Sequence, residues 1–170
     1  MTADIYIIGT SHTIQCGGQG CPKAIARAFE DELRTAKEKG RVTRICEEIN
    51  SEGLAEYNVE KTIAQHFAEQ ESIEHQMVDL SIAERSSFSL DTKTLSTLMK
   101  NLHIEDGSHI NQVFSDMVNG VRERVWLARI LSRDEWPVLF ICGAEHAVSV
   151  RRLCCALGIE SKVVHIDFQA

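Results

Sequence analysis

Short apolar runs alternate with longer stretches of helical periodicity along this chain. Asp4 to Ile8, Val42 to Cys46, His75 to Leu80, Val138 to Cys142 and Val163 to Phe168 read as strands. The first and fourth carry apolar cores, Ile5-Tyr6-Ile7-Ile8 and Val138-Leu139-Phe140-Ile141-Cys142, as expected of parallel strands covered on both faces. Between them, Pro22 opens a helix with Ile25, Ala28, Phe29 and Leu33 on one side, and Gly40 stops it. Ile63 and Phe67 mark a helix within Val59 to Gln70, and Leu95, Leu98 and Met99 turn inward from one within Leu90 to Leu102. From Asn111 a long amphipathic helix directs Val113, Met117, Val121, Val125 and Leu131 to the core, and a last helix from His146 to Leu157 ends at Gly158. Alternation of this kind predicts one α/β domain over residues 1–170, three-layered, with a mainly parallel sheet of about five strands.

Composition narrows the function classes. At 170 residues, with 44% apolar and 25% charged positions, the chain has the make-up of a globular domain. A net charge of −7 without a basic cluster argues against nucleic acid as a partner. The first strand begins within four residues of the N-terminus and no apolar run approaches a bilayer span. The expectation is therefore a cytoplasmic protein without a membrane partner. Its six cysteines are then expected to be reduced, and the Cys16 and Cys21 spacing, with no second pair, does not suit a structural zinc site.

The chemistry concentrates in a repeated motif. Gly9-Thr10-Ser11-His12 follows the first strand and Gly143-Ala144-Glu145-His146 the fourth. Carboxyl ends of parallel strands share one edge, so two imidazoles are expected there, each able to ligate a metal or move a proton. Glu47-Glu48 ends the second strand and Asp79 lies near the end of the third. His12 and His146 with Glu47 or Glu48 match the preferences of a divalent ion such as manganese, zinc or cobalt, with one position open to water. Adjacent strand residues face opposite sides, so only one of the two glutamates should point into the pocket. On the long helix, Arg122 suits an anionic substrate group and Glu123 a general base, with Glu145 as an alternative proton carrier. Gly17, Gly18 and Gly20 could aim backbone amides at an anion or form a lid, although neither the dinucleotide fingerprint nor the Walker pattern is present. His66, His75, His103, His109 and His165 belong to no repeated pattern and are expected to be surface or satisfied residues.

The ordered set of both Gly-x-x-His motifs, Glu47-Glu48 and Arg122-Glu123 resembles the superfamily that groups erythromycin esterases, ChaN haem-uptake lipoproteins and the TraB and Tiki proteins. The resemblance implies a Rossmann-like domain whose first and last histidines, intervening glutamate and helix arginine-acid pair line one pocket. It also implies hydrolysis, as in the esterases and the metal-dependent Tiki proteases, or haem binding, as in ChaN. Arg122-Glu123 stands where an arginine-aspartate pair is more usual.

Together these features lead to an expected divalent-metal-dependent hydrolase of a small-molecule or peptide substrate. In it His12, Glu47 or Glu48, and His146 hold the ion, and a metal-free variant uses a histidine as the base. The alternative is a small-molecule or nucleotide-binding module that uses the same pocket without turnover. A homo-oligomer through the helix of residues 111–132 is the third expectation, with Trp126 and Trp136 either at the contact or packed in the core.

Overall fold

A computed structural model describes residues 4–18, 20–90, 92–101 and 108–169. Its strands are Asp4–Thr10 (β1), Arg44–Glu47 (β2), Glu74–Met77 (β3), Val138–Gly143 (β4) and Glu160–Phe168 (β5). They form one all-parallel, five-stranded sheet in the order β3-β2-β4-β1-β5. The helices are His12–Cys16 (α1), Lys23–Gly40 (α2), Ser51–Glu56 (α3), Ile63–Gln70 (α4), Ile82–Ser87 (α5), Thr92–Asn101 (α6), Ser108–Leu131 (α7) and Ala147–Ala156 (α8), with a 3-10 turn at Ala144–His146. The domain is thus a Rossmann-like α/β fold with helices flanking the sheet. Among the described residues no helix is long and apolar enough to cross a membrane.

Strand order explains which face each helix covers. The connections from β1 to β2 and from β2 to β3 travel toward the β3 edge, and the later two travel back. Right-handed crossovers place the first pair on one face and the second pair on the other. Side chains alternate accordingly. Ile8 and Ile45 pack with Phe29, Leu33 and Phe67 of α2 and α4, whereas Ile5, Ile7 and Cys46 pack with Trp126, Ile130 and Val150 of α7 and α8. Adjacent β1 and β4 therefore leave the sheet toward opposite faces, which opens a crevice above their carboxyl ends. Gly9 pairs with Cys142 and Thr10 with Gly143, so the two Gly-x-x-His motifs start one residue out of register with each other.

Several local expectations are corrected. α7 forms, but Val113 and Met117 on its expected inner stripe are 68% and 50% exposed, and Leu131 is exposed too. Its buried face carries Glu123, Trp126, Leu127 and Ile130, since polar partners at the strand ends set the helix's rotation. Trp126 takes the core alternative of its two expected places. Gly40 is the last residue inside α2, and Arg41 makes the left-handed turn at φ 51°. The glycine is required by Tyr6, whose ring would lie 2.8 Å from an added Cβ. Three short helices escape hydrophobic periodicity because caps start them. Ser11 accepts from the Ile14 N–H, Asn50 from the Gly53 N–H, and Ser81 forms a capping box with Glu84. Leu95 and Met99 of α6 are half-buried, while the Leu98 side chain, Leu102, His103 and the side chain of His109 lie outside the described residues.

Gly9 owes its place to close approach rather than to a turn. It sits within β1, and an added Cβ would fall 2.0 Å from the backbone carbonyl oxygen of Ile166, where β5 departs from regular register. Gly9→Ala must push the two strands apart, and urea unfolding should register a loss of about 3 kcal/mol, the upper end of ordinary overpacking. Gly158→Ala, at φ 70° with nothing within 4 Å of the added carbon, should cost only about 1–2 kcal/mol from left-handed strain.

Candidate functional site

Above the carboxyl edge lies a cleft of about 640 Å³ lined by His12, Glu48, Asn50, Tyr57, Asp79, Arg85 and Arg122, among others. His12 is the first residue of α1, separated from β1 only by the cap Ser11, and is half-buried. Its Nδ1 lies 2.8 Å from Oε1 of the fully buried Gln15, an i,i+3 neighbour. A glutamine oxygen accepts only, so the neutral ring carries its proton on Nδ1 and presents an unprotonated Nε2.

Two buried carboxylates and one guanidinium form the floor. Asp79 accepts from Arg122 Nε and Nη2, both at 3.1 Å, from Trp126 Nε1 at 2.9 Å, and from Arg85. Burial drives the Asp79 carboxyl toward protonation, but Arg122, the Trp126 hydrogen bond and Arg85 together hold it below its ordinary value. Glu48 accepts from Arg122 Nη2 at 2.7 Å through one oxygen and from the Gly143 N–H at 2.7 Å through the other. Arg122 stacks over Trp126, with its guanidinium carbon 4.9 Å from the ring centroid. Its Nη1 donates to no acceptor among the described residues.

Behind this floor lies a second polar cavity of about 530 Å³, lined by Asp116, Asn119, Glu123, Glu145, His146 and Ser149 among others. The buried His146 holds Glu123 through Nδ1 at 2.7 Å, and Ser149 Oγ donates to the same glutamate oxygen at 2.5 Å. His146 Nε2 lies 3.7 Å from Glu48 and 3.3 Å from Glu145. Burial disfavours the imidazolium, yet the Glu123 hydrogen bond and the charges of Glu48 and Glu123 raise the His146 pKa overall. Trp126 stands edge-on to His146, with centroids 4.9 Å apart, so one indole contacts both Arg122 and His146.

The expected residues thus divide among three locations. Arg122 and Glu48 meet in the His12 cleft, whereas Glu123 and His146 form a pair that lines the second cavity. The repeated motif puts both histidines at one edge but not in one pocket, because β1 and β4 lead to opposite faces. Glu47 points the other way from Glu48. It is fully buried beneath α4, accepting from Thr62 and from His75 Nε2 at 2.7 Å. His75 is therefore a bonded partner of a buried carboxylate, while His165 lies 3.1 Å from Glu32 and His66 is exposed. Gly17 closes α1 in the left-handed region at φ 63°, and Cβ atoms at Gly17, Gly18 and Gly20 would meet Ile63, Val59 and Thr13. None of these glycines lines the cleft among its described residues. Hydrophobic pattern gave no sign of Gln15 or Arg85, nor of the bond from Trp126 to Asp79. The His12/Gln15 spacing of three in a capped helix was the available signal for the first of them.

The expected metal set does not fit this arrangement. His12, Glu47 and His146 face a cleft, a core and a second cavity, and the oxygens of Glu48 are held by Arg122 and Gly143. Among the described residues no three His, Cys, Asp or Glu side chains gather as a metal-holding group. A cavity of similar size, about 650 Å³, opens at the amino edge among Asp4, Tyr6, Gly158 and Lys162, without a bonded polar cluster. No protein-family model, curated protein or solved structure matches the chain.

Removing Arg122 should expose how much the floor depends on it. Arg122→Met leaves Asp79 and Glu48 buried without their shared cation and should lower unfolding free energy by about 3–5 kcal/mol in urea titrations. The pH dependence has two limbs. His146, raised from 6.5, contributes stability that is fully present below 6.5 and is lost as pH climbs through its higher folded value. Asp79, lowered from 3.8, contributes above 3.8 and loses that contribution as pH falls through its lower folded value. Stability measured against pH should therefore decline on the alkaline side of 6.5, and His146→Gln should flatten that decline.

Proposed function

We propose that the chain is a hydrolase of a small-molecule or peptide substrate, working by acid–base catalysis in the His12 cleft. The observation that carries this reading is the Gln15–His12 pair. One ring nitrogen is held by a buried amide, and the other is left to act at a cleft that also contains Arg122. In the proposed step His12 Nε2 takes a proton from water as the water oxygen bonds to the substrate's acyl carbon. Nη1 of Arg122, without an acceptor among the described residues, stabilises the charge that develops on the acyl oxygen. The imidazolium then returns the proton to the leaving group as its bond to carbon breaks, so water is consumed and the histidine is regenerated. Manganese, zinc or cobalt has no step in this reading, because the side chains expected to hold it are divided. The proposal keeps the hydrolysis that the resemblance to erythromycin esterases implies, and sets aside the metal dependence of the Tiki branch and the haem binding of the ChaN branch.

Binding without turnover is a second reading, favoured by the pairing of both Asp79 and Glu48 with Arg122, which commits the two buried carboxylates of the cleft to its floor. A panel of esters, peptides and phosphoesters separates the two. Hydrolysis should be found, His12→Ala should reduce kcat by about 10²–10⁴, the usual range for a general base, and prior treatment with a chelator should leave the rate unchanged. Saturable thermal stabilisation with every ligand recovered intact would replace the hydrolase with a binding module. Activity lost to the chelator and restored by manganese would overturn the metal-free mechanism.

A further inference from the structure

The mechanism above leaves one buried carboxylate unexplained. Both partners of Glu47, Thr62 and His75, bond its Oε2, and its Oε1 has no hydrogen-bond partner among the described residues. Gln15 Nε2 and Gln65 Oε1 are buried and unpartnered as well. Gln15 lies in α1, Glu47 at the end of β2 and Gln65 in the first turn of α4, and α4 packs against both of the other elements. Thr62 caps α4, donating to Glu47 while accepting from the Gln65 N–H at 2.9 Å. α1 packs against the same turn so tightly that a Cβ at Gly17 would lie 2.7 Å from Ile63 Cγ1. Cys16, the neighbour of Gln15, senses Glu47: burial first, and then the Glu47 charge, push its thiol up to about 12.

One donor and two acceptors are what a single water molecule satisfies, by accepting from the amide and donating to both oxygens. The geometry points to a buried water site formed by Gln15, Glu47 and Gln65, through which Glu47 orients Gln15 and so holds the His12 proton on Nδ1. With its Nε2 directed to the carboxylate side, Gln15 offers Oε1 to His12, so every donor in the chain points toward Glu47. Bonds aligned in this way polarise one another. The opposite amide orientation would set an oxygen against the carboxylate. Glu47 and Gln15 are thus positioning residues, and their bearing on turnover rests on the hydrolase reading.

Nitrogen-15 NMR of the imidazoles above their titration range tests the site without any substrate. Wild-type His12 should carry its proton on Nδ1, and both Glu47→Gln and Gln15→Met should shift the population toward Nε2. A wild-type ring protonated on Nε2, or an unchanged tautomer in a Glu47→Gln protein that melts cooperatively, overturns the inference. Because Glu47 also holds His75 and Thr62, that variant has a companion measurement in case it does not fold. A high-resolution crystal structure of the wild type should show a water within about 3.2 Å of all three atoms, and three atoms with no bridging density would overturn the site. Loss of turnover in His12→Ala together with an Nδ1 proton that stays in place in a folded Glu47→Gln protein would defeat this inference and leave the hydrolase reading standing.

Discussion

The arrangement of the carboxyl edge depends on the closing of Arg122 over Asp79 and Glu48. Two carboxylates removed from water are costly unless a cation and fixed donors replace their hydration. Here one guanidinium bonds both, the Trp126 indole contributes a further donor to Asp79, and the backbone of Gly143 contributes one to Glu48. These bonds join the ends of β2, β3 and β4 to a single helix. They also set the rotation of α7, because Arg122 and Trp126 must reach inward together, and that rotation carries Val113 and Met117 outward. The other end of the buried segment is tied as firmly. The fully buried Arg44 donates to the Ile130 carbonyl at 2.6 Å, and Arg129 to the carbonyls of Val78 and Asp79.

This priority of charge over apolar pattern marks the boundary of what could be read from the chain. The central strand β4 was legible because a parallel strand covered on both sides is apolar at every position, as Val138 to Cys142 are. By contrast, β2, β3 and β5 carry polar residues such as Arg44, Glu74 and Lys162 and have bounds shifted from those expected. The order of motifs along one edge was legible too, since parallel strands put their carboxyl ends together. The inner face of α7 was not, because its stripe of valines and methionine obeys helical spacing while its buried positions include Glu123. Nor could spacing separate the two histidines. Both follow a strand and a glycine, but strand order in the sheet, a long-range property, sends one chain to each face.

α1, α3 and α5 are five or six residues long and too brief for a hydrophobic period. Their signal lay in caps at Ser11, Asn50 and Ser81. With the start of α1 known, residue 15 falls beside residue 12 on the helix surface, and the orientation of His12 becomes legible from sequence.

Because β2 is four residues long and ends between its two glutamates, its alignment with β4 decides which chamber each carboxylate serves. A shift of one position would give Glu47 the surroundings of Glu48 and send its neighbour into the opposite layer. No exchange of side chains at the edge could repair that, since both residues are already glutamate. The length of the link from Arg41 to Thr43 therefore acts as a specification in its own right, and a deletion there would rewire both chambers without altering one polar residue.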